Sequence, residues 1–127
     1  MRDAVKELLS LGPLPSEEES IRNPSPLLER YQQLLRSVEK PLTDEESKEL
    51  AGLFGVDDCF GLCWTLLHLI ETAPNWPDLT ELGNAENEWV RRLRDRAARW
   101  RDAGYPARAF YKEAGLSDPR TKEPENL

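Results

Sequence analysis

The chain of 127 residues is 39% apolar, 32% charged and 8% aromatic, and its 24 acidic and 17 basic side chains leave a net charge of -7. Those proportions suit one globular domain rather than a disordered or fibrous chain, and a domain of this size buries about two thirds of its unfolded surface without needing a metal or disulfide framework. The acidic balance disfavours nucleic acid and anionic membranes as partners, because both are held by cationic surface.

No alternating run bounded by turn chemistry appears, whereas helical periodicity recurs, so the expected class is all-α. A first helix over residues 2–10 puts Val5, Leu8 and Leu9 on one side and stops at Gly12 and Pro13. Pro13, Pro15, Pro24 and Pro26 then frame a stretch containing Glu17, Glu18 and Glu19, which reads as a loop or one loose turn. A second helix starts near Ser25, takes Pro26 in its first turn, and carries Leu27, Leu28, Tyr31, Leu34, Leu35 and Val38 on one face until Pro41 ends it. Thr43 and Glu46 are spaced for a capping box, opening a third helix that Gly55 closes.

The fourth helix, about residues 57–72 with Asp57 or Asp58 as its cap, is apolar nearly all round; such a helix is surrounded by others. It is therefore expected at the centre, flanked by the second and fifth helices. Pro74 ends it, and Trp76, between prolines, is expected to fold back over the core. The fifth helix, residues 84–103, takes Asn84 as cap and gathers Trp89, Val90, Leu93, Ala97 and Trp100 within an arc of about 100°. A last helix over residues 105–115 has Pro106 in its first turn and Phe110 and Tyr111 as anchors. The expectation is a single-domain bundle of five to six helices over residues 1–116 around the central apolar helix, with residues 117–127 a disordered tail.

The N-terminus lacks the basic-then-apolar pattern of a secretory signal, and the most apolar segment is too short to span a bilayer, so a cytoplasmic protein is expected. Cys59 and Cys63, four apart on one helix, are poorly placed for a disulfide and are expected as reduced thiols.

Few residues carry a chemical signature. His68 is the single histidine, Cys59, Cys63 and His68 match no zinc spacing, and Cys63 and His68 point about 140° apart around a helix, too far to act as nucleophile and base. No cofactor or metal is implied. The polar stripe Gly61, Thr65, His68 and Thr72 could line a groove, with Gly61 admitting a second backbone; the plain alternative is a helix contact whose hydroxyls bond back to their own helix. Arg91, Arg92, Arg94, Arg96, Arg99 and Arg101 scatter over every direction that the apolar arc leaves free and have no exposed aromatics among them, unlike a nucleic-acid stripe. Residues 1–83 carry net -9 and residues 84–127 net +2. Most acidic groups suit caps and solvated faces, but Glu45, Glu46, Glu49, Asp57 and Asp58 could form a recognition surface for a basic partner.

The run from Asp57 to Pro74, followed by Trp76 and Pro77, resembles a segment of small uncharacterised acidic all-helical bacterial proteins. The whole chain is similar in type to bacterial immunity proteins, which neutralise a co-encoded toxin. With no cofactor motif, no nucleophile paired with a base, no phosphate loop and a net acidic charge, the expected function is that of a non-enzymatic binding protein, and the resemblance, which carries over no functional residue, implies a basic toxin domain as its partner. Two other readings stand beside it: a scaffold or regulatory module that self-associates through Trp76 or residues 105–111, and an enzyme with a pocket around His68, Thr65 and Glu71.

Overall fold

The computed structural model describes residues 1–79 and 82–118. Within them the chain is helical and strand-free: α1 (Asp3–Leu11), α2 (Glu17–Arg22), α3 (Leu27–Ser37), α4 (Asp44–Leu50) running into a 3-10 turn (Ala51–Leu53), α5 (Leu62–Ile70), α6 (Glu88–Asp102) and α7 (Arg108–Ala114). Seven α-helices stand where periodicity predicts five or six, and the added one is α2. Ser16 caps it by accepting the Glu19 N–H at 3.0 Å. Glu17, Glu18 and Glu19 lie in its first turn, where carboxylates favour the positive end of the helix dipole. The prolines flank this helix instead of interrupting it.

α1 packs on α3 and α4 through Val5 and Leu8, while α3 buries Tyr31, Leu34 and Leu35. The Tyr31 hydroxyl donates to the Gly12 carbonyl just past α1, and burial pushes its pKa up to about 12. The capping box of α4 forms as its spacing predicts: the Thr43 hydroxyl accepts the Glu46 N–H at 3.0 Å and the Glu46 carboxylate accepts the Thr43 N–H at 2.9 Å.

α5 is shorter than the expected helix over residues 57–72. Cys59, Phe60 and Gly61 have φ of +49°, +57° and +90°, left-handed conformations from which no right-handed turn can start, so the helix begins only at Leu62. α5 packs on α3, α4 and α6 and buries Leu62, Cys63, Leu66, Leu67, Leu69 and Ile70. Thr65 is exposed and Trp64 and His68 are half-buried, so one strip of α5 reaches the surface.

The C-terminal helices differ from expectation in two respects. The cap of α6 is Asn87, whose side chain accepts the Trp89 N–H at 2.8 Å and the Val90 N–H at 3.4 Å; Asn84 lies in the preceding turn at φ +59°. In α7 no residue is buried, and Phe110 is exposed instead of anchoring the helix. Backbone bonds hold it: the Arg108 N–H donates to the Trp76 carbonyl and the Ala109 N–H to that of Pro74, each at 2.9 Å. Trp76 is buried as expected and meets Trp100 edge to face with centroids 5.4 Å apart. Of the expected tail, residues 119–127 lie outside the described residues, while Asp118 accepts from Arg108 at 2.6 Å. No helix among the described residues is long and apolar enough to cross a membrane.

Gly55 is where the segment after Leu53 meets the segment after α1. A Cβ there would stand 2.4 Å from the Leu14 carbonyl oxygen, and that backbone is fixed because the Leu14 N–H donates to Leu53 O at 2.9 Å. Gly55→Ala is therefore expected to cost about 1–3 kcal/mol through overpacking against an atom that cannot yield. An unchanged urea midpoint would contradict that contact.

Candidate functional site

Residues 54–61 form a turn tied to two other elements. The Asn87 side-chain amide donates to Gly55 O at 2.9 Å and to Phe54 O at 3.3 Å, and the Trp89 indole N–H donates to Asp57 O at 3.2 Å, fastening the turn to the start of α6. On its other side the Glu17 N–H donates to Asp57 Oδ2 at 3.0 Å and the Phe60 N–H to Glu17 Oε2 at 2.8 Å, fastening it to α2. Asp57 thus serves the N-terminus of α2, with its second oxygen accepting the Cys59 N–H at 3.0 Å; it does not cap α5. Asp58 is half-buried, and its Oδ1 has no hydrogen-bond partner among the described residues.

This turn presents apolar groups outward. Val56 is 80% and Phe60 55% exposed, and Ile21, one turn along α2 from Glu17 and so on the same face, is 71% exposed. Glu17, Glu18, Asp57 and Asp58 lie in the same segments. Single exposed apolar residues are ordinary. Here Phe60 is held outward by a left-handed backbone that costs a non-glycine residue about 1–3 kcal/mol and persists only where the surroundings over-determine it.

The acidic residues singled out by sequence divide. Glu45 and Glu49 are exposed, as a recognition surface requires. Glu46 is not: it is 1% exposed and accepts from the Arg2 backbone N–H and Nε at 3.2 Å each and from Nη2 at 2.7 Å. The Arg2 guanidinium holds the Glu46 carboxyl down at about 2. Three consecutive acidic residues look alike in sequence, yet the third position of the helix turns inward to close the capping box.

The two hydroxyls of the stripe along and beside α5 are already hydrogen-bonded. Thr65 donates back to Gly61 O at 3.3 Å, and Thr72 donates to Leu69 O at 2.6 Å while accepting the Leu42 N–H at 3.0 Å. A Cβ on Gly61 would meet nothing within 4 Å, so no second backbone among the described residues approaches it; glycine is favoured there by its φ. His68 is half-buried beside Trp64, with Nδ1 3.6 Å from Glu71 Oε1, and its Nε2 has no hydrogen-bond partner among the described residues. Both thiols are buried; burial pushes Cys59 up to about 11 and Cys63 up to about 12, far from a nucleophilic thiolate. Among the described residues no group of three or more His, Cys, Asp or Glu is placed to hold a metal ion.

The basic helix α6 also differs from its expected solvated fan. Arg96 is buried and donates to both oxygens of the fully buried Glu71, at 2.7 and 3.0 Å. Arg94 and Arg101 reach back to the carbonyls of Leu82 and Pro77, at 3.1 and 2.7 Å. Arg92 lies over both Trp89 and Trp64, 4.4 and 5.1 Å from their ring centres, so an aromatic side chain does stand among the arginines. One signal was available for Arg96: on a helical wheel it falls about 20° from Trp89, at the edge of the apolar arc.

The chain matches no family model, no curated protein and no solved structure. Among the described residues the protein is all-helical, with an outward-facing turn of mixed apolar and acidic character fastened to α2 and α6.

Proposed function

We propose that the protein is a non-enzymatic, cytoplasmic protein-binding protein of the immunity or antitoxin type, which covers a basic surface of a co-encoded toxin. In this reading the fold is a bundle arranged about α5, and the binding face is centred on Ile21, Val56 and Phe60, with Glu17, Glu18, Asp57 and Asp58 beside them and Glu45 and Glu49 as more distant steering charges. The observation that carries the reading is Phe60. An aromatic side chain turned to water by a strained backbone, on a turn fastened to α2 and α6, is pre-organised to bury itself in a partner. An apolar centre with charges near it is the usual anatomy of a protein interface, and carboxylates speed encounter with a basic surface.

The test uses the full chain as bait in extract of the native cell, with the captured protein identified by mass spectrometry and its binding then measured with purified components. A basic partner is expected, with affinity lowered about tenfold or more by Val56→Asp with Phe60→Asp. Glu45→Lys with Glu49→Lys is expected to slow association at low salt while leaving dissociation unchanged. Equal affinity of the Val56 and Phe60 variant would overturn this face.

Self-association is the second reading, favoured by Tyr105, Phe110 and Leu116, which are 41%, 48% and 58% exposed near the other end of the chain. Sedimentation velocity separates the two: a mass that rises with concentration supports self-association.

A further inference from the structure

We propose that the depression between α5 and α6 binds a multiply charged oxyanion, a di- or triphosphate group or a polycarboxylate. The depression measures about 560 Å3 and is lined by Trp64, Glu88, Arg91, Arg92, Asp95 and Arg99, with Arg96 in its wall. That volume falls within the range of small-ligand sites. Four guanidinium groups meet two carboxylates there, in a chain whose net charge is -7.

The arginines differ in what already holds them. Arg96 is fixed by Glu71 and gives the wall a rigid base. Arg92 is laid against Trp64 and Trp89 and lies only 3.7 Å from Glu88, whose side chain is largely exposed, so its planar fork is oriented before any ligand arrives. Arg91 and Arg99 are exposed, and neither has an acidic group within ion-pair distance among the described residues. They stand eight residues apart, about 12 Å along the helix, with Arg92 and Arg96 between. A single monoanion cannot meet Arg91, Arg92 and Arg99 together, whereas a polyanion can, through the forked hydrogen bonds that guanidinium makes with phosphate or carboxylate oxygens.

Trp64 decides against a nucleic-acid strand. Its ring is already met by Arg92, by His68 at 6.0 Å and edge-on by Trp89 at 5.0 Å, leaving little face on which a base could stack. The carboxylates of Glu88 and Asp95 in the same lining oppose a continuous phosphate backbone as well.

The full chain is titrated calorimetrically at low ionic strength with inorganic tripolyphosphate, pyrophosphate and citrate, each as a separate probe. Saturable binding at one site is expected, and the tighter of the phosphate and citrate arms identifies the source of the charge. Arg91→Gln with Arg99→Gln is expected to lower affinity about tenfold or more, and Arg92→Lys, which keeps the charge but loses the fork and the stack, is expected to lower it as well. Arg22→Gln and Arg36→Gln, on α2 and α3, should leave it unchanged, and far-ultraviolet circular dichroism confirms the helices of each variant. Absence of saturable binding, equal losses in the α2 and α3 variants, or uptake of a single-stranded oligonucleotide without any of the three probes would each overturn the assignment.

Discussion

Arg96→Ala is expected to destabilise the protein by about 3–5 kcal/mol. Glu71 is fully buried, and both its oxygens receive the Arg96 guanidinium; truncation leaves the carboxylate in place and removes the fork that offsets its desolvation. The pair also lies at a junction. Arg108 Nε donates to the Glu71 backbone carbonyl, and His68 Nδ1 lies 3.6 Å from its side chain, so the end of α5 is held by α6 and by the segment entering α7. Replacing both partners together, Glu71→Leu with Arg96→Met, is expected to recover most of the loss, because no charge is then left desolvated. Chemical denaturation of the two single variants and the double variant measures the coupling. Additive losses would show that the pair does not act as a unit.

Glu46→Lys is expected to unfold or severely weaken the protein, whereas Glu45→Lys and Glu49→Lys change its stability by less than about 0.5 kcal/mol, as exposed substitutions usually do. Glu46 closes the α4 capping box and receives Arg2, which also donates through Nη2 to Pro41 O at 3.0 Å, so one carboxylate joins the starts of α1 and α4. The pH dependence follows. The Glu46 carboxyl is held at about 2, mainly by its hydrogen bonds with Arg2, against an ordinary 4.5. A group whose pKa falls on folding stabilises fully above its unfolded value, and that contribution disappears as pH drops from about 4.5 through about 2. Its size is about 1–2 kcal/mol once solvent screening at the half-exposed Arg2 is allowed for. Arg2→Gln should flatten the stability profile in that acid window and leave its slope at neutral pH unchanged. An identical acid profile in the variant would sink the assignment.

Much of the helical framework is legible in the sequence because it rests on local chemistry. The apolar face of α3, the Thr43 and Glu46 capping box and the apolar character of α5 all follow from spacings within a few residues. The helix α2 was legible in principle from Ser16 with Glu19 three residues on, but the surrounding prolines suggest a loop. The start of α5 was not legible. Cys59 and Phe60 carry no local signal for a left-handed backbone; the bonds that their N–H groups donate to Asp57 and Glu17, and the one that Trp89 donates to Asp57 O, spanning up to 43 positions, are what hold the turn.

The candidate sites follow the same division. The acidic character of the chain is a matter of counting, but which carboxylates face water depends on what stands opposite them. Glu45 and Glu46 are neighbours in sequence; one meets solvent and the other Arg2, 44 residues away. Arg96 is one of six arginines on α6, and only the arrival of Glu71 at the end of α5 makes its burial tolerable. By itself the sequence determined the all-helical class, the capping box of α4 and the apolar stripes, since these are fixed by backbone hydrogen bonding and side-chain periodicity within a turn or two. Tertiary structure alone decided which charges are buried in pairs, which apolar side chains remain outside and where Trp64 meets Arg92. Burial and charge pairing are properties of groups brought together in space, and their free energy depends on the local exclusion of water, which no short stretch of chain creates alone.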